Sequence, residues 1–216
     1  IRDQALRMPY CSPWTEGNVP AAVLCAKLAE ISPGDLNNVF LTNSGSTAVD
    51  SALRFVMFYN NVRGKPEKKH IISRERAYHG STYLASSACG KERDKSFMDA
   101  NTELFHFVSD PEHYHRPEGF GDADWLEFLV KEFEDKIAEL GADKCAAFIG
   151  EPLLASGGVS IPPKGYHKRI LDICHANDML YISDEVVTAW GRLGHFFASE
   201  EVFGIKPDMI TTAKGL

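Results

Sequence analysis

The run Cys145-Ala-Ala-Phe-Ile-Gly150 is almost wholly apolar and shows no alternation between polar and apolar positions. A strand of that kind has no solvent face, so it belongs in a parallel sheet covered by helices on both sides. Glu151 ends the run, and Pro152 forces the chain out of regular structure. This one segment commits the chain to an α/β layering and predicts what must surround it: amphipathic helices alternating with further apolar strands.

Those neighbours are legible. Tyr166, Ile170, Leu171 and Cys174 are spaced for a helix over Lys164 to His175, which crosses to a strand from Leu180 to Ser183 that ends at Asp184. A second crossover containing Phe197 to Phe203 leads to the strand Asp208-Met-Ile-Thr-Thr212 and then to Lys214. Upstream, His70-Ile-Ile-Ser-Arg74 predicts a strand running into Arg76-Ala-Tyr-His-Gly80. Trp125, Phe128, Leu129, Phe133, Ile137 and Leu140 stripe one face of a helix opening at Asp124. Val39 to Thr42 predicts a short strand, and Thr47 to Tyr59 a helix with Val49, Leu53, Val56 and Met57 on its apolar side. Val23, Leu24, Leu28 and Ile31 fit a helix from Ala21 that stops before Pro33-Gly34. The expected fold is α/β, a three-layer, mostly parallel, right-handed sheet. Residues 1–20 are expected to form an N-terminal loop segment and 21–216 one large domain. Ser86 to Gly121 gives no regular pattern, and a loop of that length usually covers something or is functional.

Composition removes several function classes. A chain of 216 residues can bury a substantial core, and 44% apolar with 25% charged residues is ordinary for a globular protein. A net charge of −7 without a basic run argues against a nucleic-acid partner. No apolar run reaches the roughly eighteen residues of a membrane-spanning helix, and Ile1-Arg-Asp-Gln4 lacks the features of a signal peptide, so the expected location is cytoplasmic. The five cysteines are odd in number and scattered without a CxxC pair, which fits reduced thiols. His113 and His115 have no third ligand spaced with them, and no metal site is expected.

In an open parallel sheet, ligands bind outside the carboxyl ends of the strands. Glu151, Asp184 and Lys214 each follow a strand and so share that edge. A carboxylate and an amine delivered there suit Lys214 as a covalent nucleophile and Asp184 as the group that tunes the cofactor it holds. Asn43-Ser44-Gly45-Ser46 turns into a helix N-terminus, where free N–H groups and the helix dipole favour a phosphate. Gly45 permits close approach, and the Ser44 and Ser46 hydroxyls can donate. The same residues are also ordinary capping chemistry, and spacing alone leaves both readings open. Tyr78, before His79-Gly80, sets an aromatic ring where a planar ligand can stack, or where it anchors a loop. Tyr10 and Trp14, in the loop Pro9 to Pro20, either staple that loop or meet a ligand.

The chain resembles the large, cofactor-binding domain of class III (omega-type) aminotransferases, pyridoxal 5′-phosphate enzymes of the aspartate-aminotransferase fold, known as fold type I. The resemblance rests on Asn43-Ser-Gly-Ser46, Tyr78-His-Gly80, Glu151-Pro152 with Gly157-Gly158, Asp184-Glu-Val186 with Gly191-Arg192, and Thr212-Ala-Lys-Gly215, over essentially all 216 residues. It implies that Lys214 forms a Schiff base with the cofactor and then moves a proton between substrate carbon and cofactor carbon. It further implies that Asp184 pairs with the pyridine nitrogen, that Val186 and Tyr78 pack on opposite ring faces, and that Ser44, Gly45 and Ser46 hold the phosphate. His79 joins the cofactor set, and Glu151 orders polar groups near the ring oxygen and Asp184.

The implied reaction is ping-pong transfer of an amino group from an amine or omega-amino acid to a keto acid such as pyruvate. Tyr10 and Trp14 would lie on the substrate side, and the enzyme would be a homodimer with its site at the subunit interface. A related decarboxylase or aminomutase shares the same residues, and an inert truncated fragment is the alternative from another class. Three positions depart from the family pattern. Thr47 stands where Glu or Asp is frequent, Ala189-Trp190 replaces a usual Gly-Phe, and Leu154 lies where a Gln often follows Glu-Pro. The family continues past the lysine into a small C-terminal domain that supplies a phosphate-reaching Thr and a carboxylate-binding Arg. The chain is therefore expected to be an internal fragment of a longer enzyme.

Overall fold

The computed structural model describes residues 1–12 and 14–216, and its contacts fall into two units, Ile1–Phe40 and Leu41–Leu216. Among its described residues the first unit holds the helices α1 (Arg2–Arg7) and α2 (Val19–Ile31). The first twenty residues are thus not loop throughout, which corrects the expectation. α1 buries no residue, so it has no apolar period to read; Asp3 in its first turn and Arg7 in its last complement the helix dipole instead. Asn18 caps α2 by accepting the Ala21 N–H at 2.9 Å, and the helix ends at Ser32, just before Pro33.

In the second unit, β1 (His70–Arg74), β2 (Phe105–Val108), β3 (Cys145–Gly150), β4 (Leu180–Asp184) and β5 (Met209–Thr211) form one parallel sheet in the order β2-β1-β3-β4-β5. β3 lies at the centre with all its residues buried, as its lack of a polar face demands. Alternation along the strands then divides the core. Ile72, Phe148 and Tyr181 pack against α6 (Asp122–Leu140) and α7 (Tyr166–Ala176), with the Phe133 ring edge-on to Phe148 at 5.4 Å. Ile71, Ala147, Ile149 and Ile182 pack on the other face with Val49, Leu53 and Val56 of α3 (Gly45–Val62) and Ala85 of α4 (Tyr83–Ser87). Each large apolar side chain buried this way contributes roughly 1.5–3 kcal/mol. Short helices α5 (Glu92–Lys95) and α8 (Ala198–Glu201) lie in the connections.

Two local expectations fail for one reason. Val39 to Thr42 carries no strand assignment, whereas Phe105–Val108, inside the segment that gave no pattern, forms β2. A four-residue run signals only that an extended chain is tolerated; a strand exists where a ladder partner lies alongside. β2 finds one in β1, pairing Ile71 with Phe105 and Arg74 with Val108.

The amino-terminal edge of the sheet is closed by Lys68. Its buried ammonium donates to the carbonyls of Ala142, Cys145 and Asn177 at 2.8, 2.6 and 3.1 Å. Burial lowers its pKa and pushes the Cys145 thiol up to about 11, so that cysteine stays protonated and inert. The carboxyl edge is the open one.

Candidate active site

Register sets the first row of the site. Gly150 pairs with Ser183 and Asp184 with Thr211, so Glu151, Asp184 and Thr211 stand level on three adjacent strands. Past β5 the chain turns, with the Leu216 N–H on the Ala213 carbonyl at 3.3 Å, and Lys214 is exposed on that turn. Its φ of 51° lies in the left-handed region that non-glycine residues seldom occupy.

Asp184 is 3% exposed, yet its carboxylate is only partly spoken for. Oδ1 accepts the Val186 N–H at 3.1 Å, and Oδ2 lies 2.7 Å from His79 Nδ1. An acceptor-only carboxylate oxygen takes the Nδ1 proton of His79, and the Ser73 hydroxyl lies 3.3 Å from the Nε2 of that ring. The aspartate is therefore aimed by two donors and keeps lone pairs for a third, cationic one. His79 stands behind Asp184.

Glu151 is as deeply buried, and its two oxygens join two loops. Oε1 accepts the Tyr78 N–H and Oε2 the Ala155 N–H, both at 3.1 Å, while its carbonyl takes Arg74 Nη2 at 2.5 Å. Burial raises its carboxyl pKa above the ordinary value. Tyr78 itself is 40% exposed.

At the start of α3 the capping bonds fall on Ser44 and Thr47. Ser44 is the cap: its Oγ accepts the Thr47 N–H at 3.2 Å, and Thr47 Oγ1 accepts the Ser44 N–H at 3.0 Å. A hydroxyl at Thr47 thus completes the capping box that an acid more often closes. Gly45 and Ser46 come next, where first-turn N–H groups have no acceptor within the helix. A Cβ on Gly45 would lie 3.0 and 3.1 Å from the Val186 methyls and 3.4 Å from Ala213 Cβ. The helix start, the loop after β4 and the turn bearing Lys214 therefore converge at this glycine. Ser46 Oγ accepts the Ser81 N–H at 3.0 Å, which leaves its proton to donate, and Gly80 lies so close that a Cβ there would be 2.6 Å from that oxygen. An anion cradle, a buried carboxylate with spare lone pairs and a primary amine along one edge fit a planar, phosphorylated heterocyclic aldehyde.

Three supporting residues escaped the sequence reading. Glu185, fully buried, accepts the Ala198 and Ser199 N–H groups at 2.6 and 2.9 Å and the hydroxyls of Thr188 and Ser199 at 3.0 and 2.6 Å. It roots both ends of the loop that carries Val186. Two successive acids ending an apolar strand were the available signal. Arg74, on Glu151, is the second, and nothing local announces a buried arginine. His167 is the third: Pro152 O can only accept, so Nε2, 2.7 Å away, donates, and Nδ1 accepts the Tyr181 hydroxyl at 2.7 Å.

Burial holds the His167 pKa down at about 3. The folded chain therefore refuses a proton that the unfolded chain takes up near pH 6.5, and stability falls as pH drops from 6.5 toward 3. For this one site the loss approaches ~1.4 kcal/mol per pH unit. Denaturant unfolding from neutral pH downward is expected to show that slope, and His167→Gln to flatten it by about that amount.

Tyr10 and Trp14 belong to the first unit, where both are exposed. His115 sits 3.0 Å from Asp110 and 2.8 Å from Arg76, and His113 is 2.9 Å from Glu112.

Comparison with known proteins gives one direction. The family model "Aminotransferase class-III" matches residues 1–216. A diaminobutyrate–2-oxoglutarate transaminase of Halomonas elongata is 39% identical over all of this chain and 47% of its own length. An omega-aminotransferase of Caulobacter vibrioides is also 39% identical, over all of this chain and 49% of its own. The crystal structure of an omega transaminase from Pseudomonas jessenii in complex with PMP superimposes with a TM-score of 0.95 at 36% identity, covering 99% of this chain and 48% of that one. The chain spans about half the length of the relatives it matches.

Proposed function

This chain belongs to the class-III aminotransferases, and we propose that it is the cofactor-holding part of an enzyme that moves an amino group from an amine or omega-amino acid to a keto acid such as pyruvate. The observation that carries the reading is the row of Glu151, Asp184 and Thr211, beside which the Gly45 cradle and the turn bearing Lys214 converge. Pyridoxal 5′-phosphate, the cofactor of the family, supplies an aldehyde that condenses with amines and a protonated ring that takes up a carbanion's electrons.

The residues divide the remaining work. Lys214 is the amine that holds the cofactor and the base that carries a proton at the reacting carbon. Asp184, aimed by His79 and the Val186 N–H, keeps the ring nitrogen protonated. Ser44, Gly45 and Ser46 bind the phosphate, Ser44 while also capping α3. Val186 and Tyr78 enclose the ring, and Glu151 holds the Tyr78 backbone in place. Residues 21–216 form the large domain in this reading, Tyr10 and Trp14 line the substrate side, and the enzyme works in the cytoplasm as a homodimer with the site at the subunit interface. Relatives named omega-aminotransferase and diaminobutyrate–2-oxoglutarate transaminase support an omega-amine donor.

Product analysis tests the reaction. With an amine donor and pyruvate, the holoenzyme is expected to form alanine and the carbonyl product in equal amounts, by a double-displacement rate law. Release of carbon dioxide, or turnover without a keto acid, overturns the proposal.

A further inference from the structure

Trp190 lies in the loop after β4 with a left-handed backbone, φ 60°. Its position is fixed from behind. The Trp190 N–H donates to Phe196 O at 2.8 Å and the Gly191 N–H to His195 O at 2.9 Å, closing a tight turn. The indole rests on Phe197 and Phe196, with ring centres 5.3 and 6.3 Å away. Glu185 in turn holds the far end of the loop through the Ala198 and Ser199 N–H groups.

From this platform the indole reaches the turn after β5 at two points. Nε1 donates to Thr212 Oγ1 at 2.5 Å. Gly215 lies so near that a Cβ there would be 2.7 Å from Trp190 Cβ and 3.3 Å from Cγ, so only glycine fits without movement. Thr212 and Gly215 bracket Lys214, whose own backbone occupies a sparsely populated region. A residue in that conformation persists only where its surroundings over-determine it, and here the indole supplies the constraint on both shoulders.

We propose that Trp190 is a positioning residue for amino transfer: its indole clamps Thr212 and Gly215 and thereby aims the Lys214 amine at the edge marked by Asp184. The proposal rests on the reading of Lys214 as the cofactor-holding amine. It also gives a use to the departure from the family's usual phenylalanine, which has a ring but no N–H. Trp190→Phe therefore removes the bond to Thr212 and little else, and Thr212→Val removes the same bond from the other end.

The test uses the cofactor-loaded enzyme, its pH-dependent visible absorbance and the single-turnover reaction with an amine donor. Trp190→Phe is expected to move the pH midpoint of that absorbance by about half a unit and to slow the half-reaction about fivefold, the worth of one hydrogen bond. Thr212→Val should do the same, and the double variant should be no worse than either single one, because all three lack one shared interaction. An unmoved midpoint in a variant that folds and binds cofactor overturns the clamp, as does additivity of the two substitutions. If Trp190→Phe fails to fold, Thr212→Val alone decides by its midpoint. If Lys214→Ala keeps the wild-type absorbance, it is the reading of Lys214 that fails.

Discussion

Replacing Lys214 by alanine in the holoenzyme is expected to abolish the absorbance of covalently held cofactor and to cut amino transfer by about 10⁴-fold or more. The size follows from two roles lost together. General acid–base transfer alone contributes roughly 10²–10⁴-fold, and without the amine the cofactor is held by noncovalent contacts only. The contacts proposed for it remain: Gly45 and Ser46 belong to α3, and Asp184 to β4. Cofactor affinity should therefore weaken without vanishing. Near-wild-type turnover by the variant would remove Lys214 from the mechanism, whereas loss of all cofactor binding would place the lysine's role in assembly of the site.

Asp184→Asn is expected to lower the rate of the first half-reaction by about 10³-fold, on the order of 4 kcal/mol in the barrier. The substitution keeps size and one acceptor, so the Val186 N–H at 3.1 Å can still be met. What goes is the negative charge, buried at 3% exposure where solvent does not replace it. Asparagine also offers an NH₂ that must point somewhere, and His79 Nδ1, 2.7 Å from Oδ2, then loses its ionic partner. The measurement is a stopped-flow trace of the half-reaction beside a thermal melt. A large loss of rate with an unchanged melt is the expected pattern, and equal losses of both would make Asp184 a structural residue.

How much of this was legible differed from residue to residue. β3 and β4 announced themselves because a strand buried on both faces needs apolar residues throughout, a demand that composition alone reveals. The ionisable residues that follow were legible for the converse reason: a charge after an apolar run marks where the buried layer ends. Partnerships were not. That His79 serves Asp184, that Arg74 reaches the Glu151 carbonyl and that Glu185 collects four donors are facts about side chains brought together from distant stretches. β2 and the run Val39 to Thr42 mark the same boundary for the backbone, since each looked plausible or implausible locally and pairing decided otherwise. Trp190 was visible as a departure from a family pattern, but only the approach of Gly215 and the bond to Thr212 gave that departure a purpose.

The central place of β3 also has a consequence for how the protein is made. β1 is flanked by β2 on one side and β3 on the other, yet β3 follows both in the chain, after the whole of α6. A chain emerging from the ribosome can complete the β1–β2 ladder early, but it must carry the other edge of β1 unpaired until Cys145–Gly150 has been synthesised. Such an edge recruits foreign strands. The interval of translation that spans α6 therefore leaves this edge open to misassembly, and gives a chaperone something to protect.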